Sequence, residues 1–190
     1  MVRYLHFFSL SFYIFFLILQ GGPISISDDA VTALSVVEET CKKAADMDPN
    51  LTYKFCVTSL QAIPRSHCAN LRGLGLIAMK LSRTNATHTK LYIKKIMKKK
   101  KKLEPFYRSC LESCLELYSN AIYSTRDAIK YYKSRSYLEA NVQFSAVMDA
   151  PSTCEDGFKE KEGLRSPLTK KNNDLFQLTA LVLSIIEMLR

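Results

Sequence analysis

Apolar residues recur along this chain at intervals of three and four rather than two, the signature of helices that each bury one face. After Pro105 the stripe runs Phe106, Cys110, Cys114, Leu117, Tyr118, Ala121, Ile122, Thr125, Ala128, Ile129 and Tyr132. That is one face of a helix of about seven turns. Tyr137, Ala140, Phe144, Val147, Met148 and Cys154 form a second stripe, and Leu175, Leu178, Leu181, Val182, Ile185, Met188 and Leu189 a closing one. Earlier come Leu71, Leu74, Ala78 and Leu81, then Leu91, Ile93, Ile96 and Met97. The first stripe is Ala30, Leu34, Val37 and Cys41, with Asp28 and Asp29 suited to the positive end of a helix dipole.

Polar breaks divide the stripes. Asp46 to Asn50, with Pro49, reads as a turn, and Ile63-Pro64-Arg65-Ser66 ends one helix and offers Ser66 as a cap for the next. Thr84 to Thr87, Leu103-Glu104-Pro105 and Lys133 to Ser136 read as short joins. Gly157 to Asn173 reads as a longer connection, after which Asn173 or Asp174 would cap the last helix. The pattern therefore predicts an all-α fold. A helical hairpin over 28–63 precedes an up-and-down bundle over 66–190, built from about four longer helices and a closing C-terminal helix. Short joins make sequential helices antiparallel neighbours.

The N-terminus does not fit this scheme. Arg3 precedes an apolar run from Leu5 to Leu19, of about 15 residues, short for a membrane span and right for a signal-peptide core. Ser25-x-Ser27 fits a cleavage site, with Gly22 as the competitor, so residues 1–27 read as a leader and 28–190 as the mature domain. An uncleaved membrane anchor is the alternative. Removing the leader takes one cation, Arg3, and leaves 26 Lys and Arg against 18 acids.

Six cysteines remain in an exported chain, so disulfides are expected. Cys41 and Cys56 lie on consecutive helices across the Asp48-Pro49 turn. Closing that loop is worth about 3 kcal/mol. Cys114 lies early in one helix and Cys154 late in the next, and an antiparallel hairpin brings those ends together. Cys68 and Cys110 each start a helix, and counting the elements between them puts both at one end of the bundle. They form either a third bridge or two buried thiols. Cys110 and Cys114 also have metal-ligand spacing, but an exported chain favours disulfides. Asn50-Leu51-Thr52 and Asn85-Ala86-Thr87 are sequons and read as surface-loop glycosylation sites at Asn50 and Asn85.

Catalytic chemistry is not visible. His67 and His88 are the histidines left after the leader, and neither belongs to a metal-binding pair. No nucleophile elbow or phosphate loop is present. Gly73-Leu74-Gly75 lies inside a helical stripe and reads as a site of close helix contact. Glu112 and Glu116 read as a solvated face rather than a carboxylate pair. The chain is therefore expected to be no enzyme and to need no cofactor or metal. Lys94, Lys95 and Lys98 to Lys102 place seven charges in nine residues. This run is either a patch for an anionic wall polymer or acidic partner, or a solvated helix end favoured by the dipole. A secreted basic protein meets such partners more often than nucleic acid. The C-terminal LFQLTALVLSIIEMLR keeps helical spacing and carries Gln177, Glu187 and Arg190, so it reads as a bundle helix rather than a membrane tail.

Several segments resemble one known family. "CLELYSNAI" at 114–122 and "ANVQFSAVMDAPSTCEDGF" at 140–158 look like signature segments of the plant invertase and pectin methylesterase inhibitors. "ETCKKAADMDPNLTYKFCVTSL" at 39–60 resembles that family's helical hairpin, and "HCANLRGLGLIAMKLS" and "NDLFQLTALVLSIIEML" resemble its later helices. "TCKKAADMDPNLTYKFC" and "CEDGFKEKEGLRSPLTKKN" are similar in particular to plane-tree pollen allergens described as invertase inhibitors. The resemblance implies a four-helix up-and-down bundle behind a helical hairpin, with bridges Cys41–Cys56 and Cys114–Cys154. Cys68 and Cys110 depart from the family's usual four cysteines. It implies inhibition of plant acid invertase, or of pectin methylesterase, by occlusion of the active-site cleft, in the cell wall or the vacuole. The blocking loop is expected in the hairpin joining the last two bundle helices, where a Pro-Lys-Phe triad is described. The stretch here is Tyr132-Lys133-Ser134-Arg135-Ser136-Tyr137, which lacks that triad. Lys133, Arg135 and Tyr137 are the candidate target-binding residues. Two competing classes are a non-inhibitory, allergen-type protein and a membrane-surface binder.

Overall fold

The computed structural model describes residues 35–99 and 103–190. The expected leader, with Asp28, Asp29 and Ala30, lies outside the described residues, as do residues 100–102. The described elements are α1 (Val36–Met47), α2 (Tyr53–Gln61), a 3-10 turn (Pro64–Cys68), α3 (Leu71–Lys99), α4 (Pro105–Lys133), α5 (Tyr137–Lys159) and α6 (Thr169–Met188).

The hairpin starts where local chemistry allows it. Ser35 accepts from the Glu38 amide while the Glu38 carboxylate accepts from the Ser35 amide, a reciprocal capping box. Thr52 caps α2 by accepting from the Phe55 amide. Cys41 and Cys56 bridge the two helices, with Cα atoms 5.6 Å apart. The turn is clamped to α6, where the Gln177 Oε1 accepts from both the amide and the hydroxyl of Thr52, each at 3.0 Å.

The four long helices close a ring, with α4 between α3 and α5 and α6 between α5 and α3. The periodic residues are the core: Cys114, Tyr118, Ala121, Ala128 and Tyr132 of α4 and Ala140, Phe144, Val147 and Cys154 of α5 are all buried. Cys114 and Cys154 are bridged, with Cα atoms 4.9 Å apart. A polar layer crosses the interior beside this bridge. The buried Tyr118 hydroxyl donates to Asn172 Oδ1 at 2.6 Å, and the Asn172 amide donates to Glu155. Burial and the nearby Glu155 charge keep the Tyr118 phenol neutral. Gly75 confirms its expected role: a Cβ there would meet the Tyr132 ring, with Cζ at 2.8 Å, and Ile185 at 2.9 Å.

The join expected at Thr84–Thr87 does not exist. One helix of 29 residues runs through it, so the bundle has the four long helices that the family resemblance implies, where the apolar pattern alone suggested five. Its buried face there is Ser82, Ala86 and Thr89, residues too small or polar to register as a hydrophobic stripe. Thr87 returns its hydroxyl to the Arg83 carbonyl at 2.8 Å. Two further corrections follow. Losing one helix reverses the direction count, so Cys68, before α3, and Cys110, early in α4, lie at opposite ends of the bundle and form no third bridge. Both are free thiols, Cys68 exposed and Cys110 buried. Asn85 lies mid-helix and half-buried rather than in a surface loop.

Cap positions shift as well. Asn70, not Ser66, caps α3 by accepting from the Gly73 amide at 2.9 Å. Pro151 lies inside α5, which continues to Lys159. The long connection is therefore shorter than expected, α6 begins at Thr169, and Asn173 and Asp174 are inside it.

Candidate functional site

The three candidate target-binding residues converge on the α4–α5 turn. It joins the second and third of the four bundle helices, not the last two as expected, because the C-terminal α6 packs against α5 and α3 as the fourth bundle helix. Lys133 ends α4, Ser134 is its C-cap, and Tyr137 opens α5. The Ser136 amide donates to the Tyr131 carbonyl at 2.9 Å and the Arg135 amide to the Tyr132 carbonyl at 3.2 Å. This hydrogen-bond pattern needs a left-handed residue between helix and exit, and Arg135 takes it, with φ 62°. Glycine is the usual residue at such a position.

The turn is braced from below. Tyr132, buried, donates to the Arg72 carbonyl at 2.9 Å, and the Arg72 guanidinium donates to the Lys133 carbonyl at 2.8 Å. Tyr137 meets Tyr132 edge-on, ring centres 5.5 Å apart. The Ser134 hydroxyl donates to the carbonyls of α4's last turn. Lys133 and Arg135 are exposed and Tyr137 is half-buried, so two cations project from a backbone fixed by α3, α4 and their own caps. Around them Tyr131, Leu138 and Val142 are exposed, Val142 at 60%. Periodicity alone did not mark these three, but they had a signal: each is apolar or aromatic and lies off the buried stripe of its helix. The bracing by Arg72 was not legible, since nothing local distinguishes it from other surface arginines.

The remaining candidates scatter. Asn50 is exposed in the α1–α2 turn, its amide hydrogen-bonded to Asp48 at 3.0 Å. Asn85 adjoins Phe55, Leu81 and Lys170 where α2, α3 and α6 meet. Cys110 gives its thiol to the Gly157 carbonyl at 3.3 Å, and burial, then the Glu160 charge, raises its pKa. Such a thiol is a poor nucleophile. Lys94, Lys95, Lys98 and Lys99 are exposed on the last turns of α3. Glu112 and Glu116 are exposed on α4 as expected.

The fold is thus a helical bundle with two disulfides whose α4–α5 turn presents two exposed cations on a braced backbone. Residues 35–185 match the family of plant invertase/pectin methylesterase inhibitors, and the chain belongs to it. It is 45% identical over 160 residues to a Platanus acerifolia protein named "Putative invertase inhibitor", covering 84% of this chain and 88% of that one. It is 34% identical over 186 residues to "Pectinesterase inhibitor 12" of Arabidopsis thaliana, covering 96% and 99%. Its fold matches a crystal structure of a mutant form of a pectin methylesterase inhibitor from Arabidopsis, with TM-score 0.68 at 23% identity over 83% of this chain and 99% of that one. The family consists of enzyme inhibitors, not enzymes. No helix among the described residues is long and apolar enough to cross a membrane.

Proposed function

We propose that this protein is an exported inhibitor of plant acid invertase. Residues 1–27 serve as its leader, and it acts in the wall or the vacuole as the domain 28–190. The observation that carries the choice of target is the gap in identity, 45% to the invertase-inhibitor relative against 34% to the pectinesterase-inhibitor relative. Pectin methylesterase is the alternative target on the same fold. The mechanism is steric: the α4–α5 turn enters the cleft of the enzyme, with Lys133 and Arg135 meeting the carboxylates of a glycosidase site and Tyr137 holding the turn. Preorganisation supports this, because a turn already fixed by Tyr132 and Arg72 loses little freedom on binding. Asn50 carries the glycan, and the lysines from Lys94 onward meet anionic wall polymer.

The test is inhibition of acid invertase by the wild type and by Lys133→Ala/Arg135→Ala/Tyr137→Ala, compared at equal helix content. The reading expects the variant to inhibit at least about a hundredfold less well, the scale of losing two or more anchors. Equal inhibition by the two proteins would move the contact elsewhere on the bundle.

A further inference from the structure

We propose that α3 carries a second binding surface, a rail for a linear polycarboxylate polysaccharide, which works while the α4–α5 turn is engaged. This rests on the reading that the protein works beside wall polymers, and deepens it from a lysine cluster to a defined face. The carrying observation is charge segregation. α3 holds eight Lys and Arg and no Asp or Glu. The full chain has 27 cations and 18 acids, so 19 cations and 18 acids are left for everything outside α3. Nearly the whole net charge of +9 rides on one helix.

The charges are also aligned. Lys80, Arg83, Lys90, Lys94 and Lys98 follow one another at helical spacings, with Thr87 filling the one gap. At 1.5 Å per residue the column spans about 27 Å. All but the half-buried Lys90 are exposed. The ion pairs among the described residues lie on other helices and loops, and none includes a residue of this column. The lysines are held together against their own repulsion because the opposite face of α3 is locked into the core through Ala78, Ala86 and Ile93. Neighbouring charges one turn apart lie within a Debye length, about 8 Å at physiological salt. A polyanion laid along the column relieves that repulsion and releases its own counterions.

The chemistry favours a carboxylate polymer. Four of the five cations are lysines, point charges on flexible stems that demand no fixed bidentate geometry, so they suit charges spaced along a linear polymer rather than one oriented group. Tyr92 is the one tyrosine on this helix, and Lys171 covers one face of its ring at 4.9 Å, so the column carries no run of aromatic rings on which successive bases could stack. Most of the apolar face of α3 is used by the core, and the exposed Leu91 and Tyr92 are too few to form the broad apolar face with which a helix enters a lipid surface. The two surfaces do not compete. Arg72 ties the start of α3 to Lys133, so the turn lies at one end of the helix and Lys94 and Lys98 at the other.

The test uses the purified chain with both bridges formed and polygalacturonate as the probe, with no enzyme present. Wild type is expected to bind, with affinity falling steeply as salt rises. Lys80→Gln/Arg83→Gln/Lys90→Gln/Lys94→Gln/Lys98→Gln should bind at least about tenfold more weakly while inhibiting soluble invertase like wild type. Lys133→Ala/Arg135→Ala/Tyr137→Ala should bind the polymer like wild type. If the fivefold variant loses helix content, Lys94→Gln/Lys98→Gln alone should still bind measurably more weakly. Undiminished polymer binding by both lysine variants would overturn the proposal. So would tighter binding to single-stranded nucleic acid, or to vesicles of anionic phospholipid, at matched charge. A wild type that binds polymer without inhibiting invertase would refute the target and leave the rail standing.

Discussion

Arg135 takes the left-handed conformation that closes α4, which costs an ordinary residue about 1–2 kcal/mol and glycine almost nothing. The proposed contact with the target sets the Arg135 charge against that strain. Arg135→Gly should therefore fold as stably as wild type, or up to about 1 kcal/mol more so, and inhibit more weakly. Arg135→Val should lose at least about 1 kcal/mol, since a β-branched residue resists this conformation. Thermal melts beside an inhibition curve check both. Gly75 makes the opposite kind of demand. In a free helix Gly→Ala gains about 1 kcal/mol. Here the new methyl displaces the Tyr132 ring and its bond to the Arg72 carbonyl, so Gly75→Ala should lose about 1–3 kcal/mol. The sign of that change decides whether the α3–α4 contact is as tight as described. Its sequence signal, glycine inside an apolar stripe, was legible; its partner was not, because contacts between α3 and α4 follow from packing rather than spacing.

Element boundaries show where reading a sequence succeeds and fails. The stripes of α4, α5 and α6 are carried by large apolar residues, and these helices were found with their buried faces correct. Both bridges were legible too, because a turn or an antiparallel hairpin brings each pair together. The Thr84–Thr87 stretch of α3 was misread because its buried positions, Ser82, Ala86 and Thr89, contribute fit rather than hydrophobicity. That one error propagated to the Cys68–Cys110 pairing and to the Asn85 loop. It also yields a test of the element. A glycan needs an asparagine on exposed, adaptable backbone, and Asn85 sits mid-helix and half-buried. If the chain is glycosylated in a plant host, Asn50→Gln should remove the mass and Asn85→Gln should leave it unchanged, as read by intact-protein mass spectrometry.

At the scale of the whole molecule, stability in acid and stability near neutral pH draw on different features. Hydrogen bonds from Ser35 hold the Glu38 carboxyl below its usual 4.5. The Tyr107 and Phe106 amides, in that order, do the same for Glu104 at the start of α4. Because the folded values lie below the unfolded ones, these caps stabilise fully above pH 4.5. Their contribution fades as pH falls through the lower folded values. Glu38→Gln/Glu104→Gln should melt below wild type by a constant margin from pH 7 to about pH 5, and the margin should shrink below about 4.5. Ion pairs add little, since those described are largely exposed. Shape in acid rests instead on the buried ring of helices and the two bridges. The longer one closes a separation of 40 residues, worth about 4 kcal/mol.

The central claim is that this rigid bundle blocks an acid invertase. Its most direct test is a titration of plant acid invertase and of pectin methylesterase, side by side at pH 5, with the oxidised protein. The account predicts stoichiometric loss of invertase activity at a one-to-one ratio, with the esterase untouched. Full invertase activity in the presence of excess folded protein would contradict it, and loss of the esterase activity instead would transfer the same scaffold to the other target.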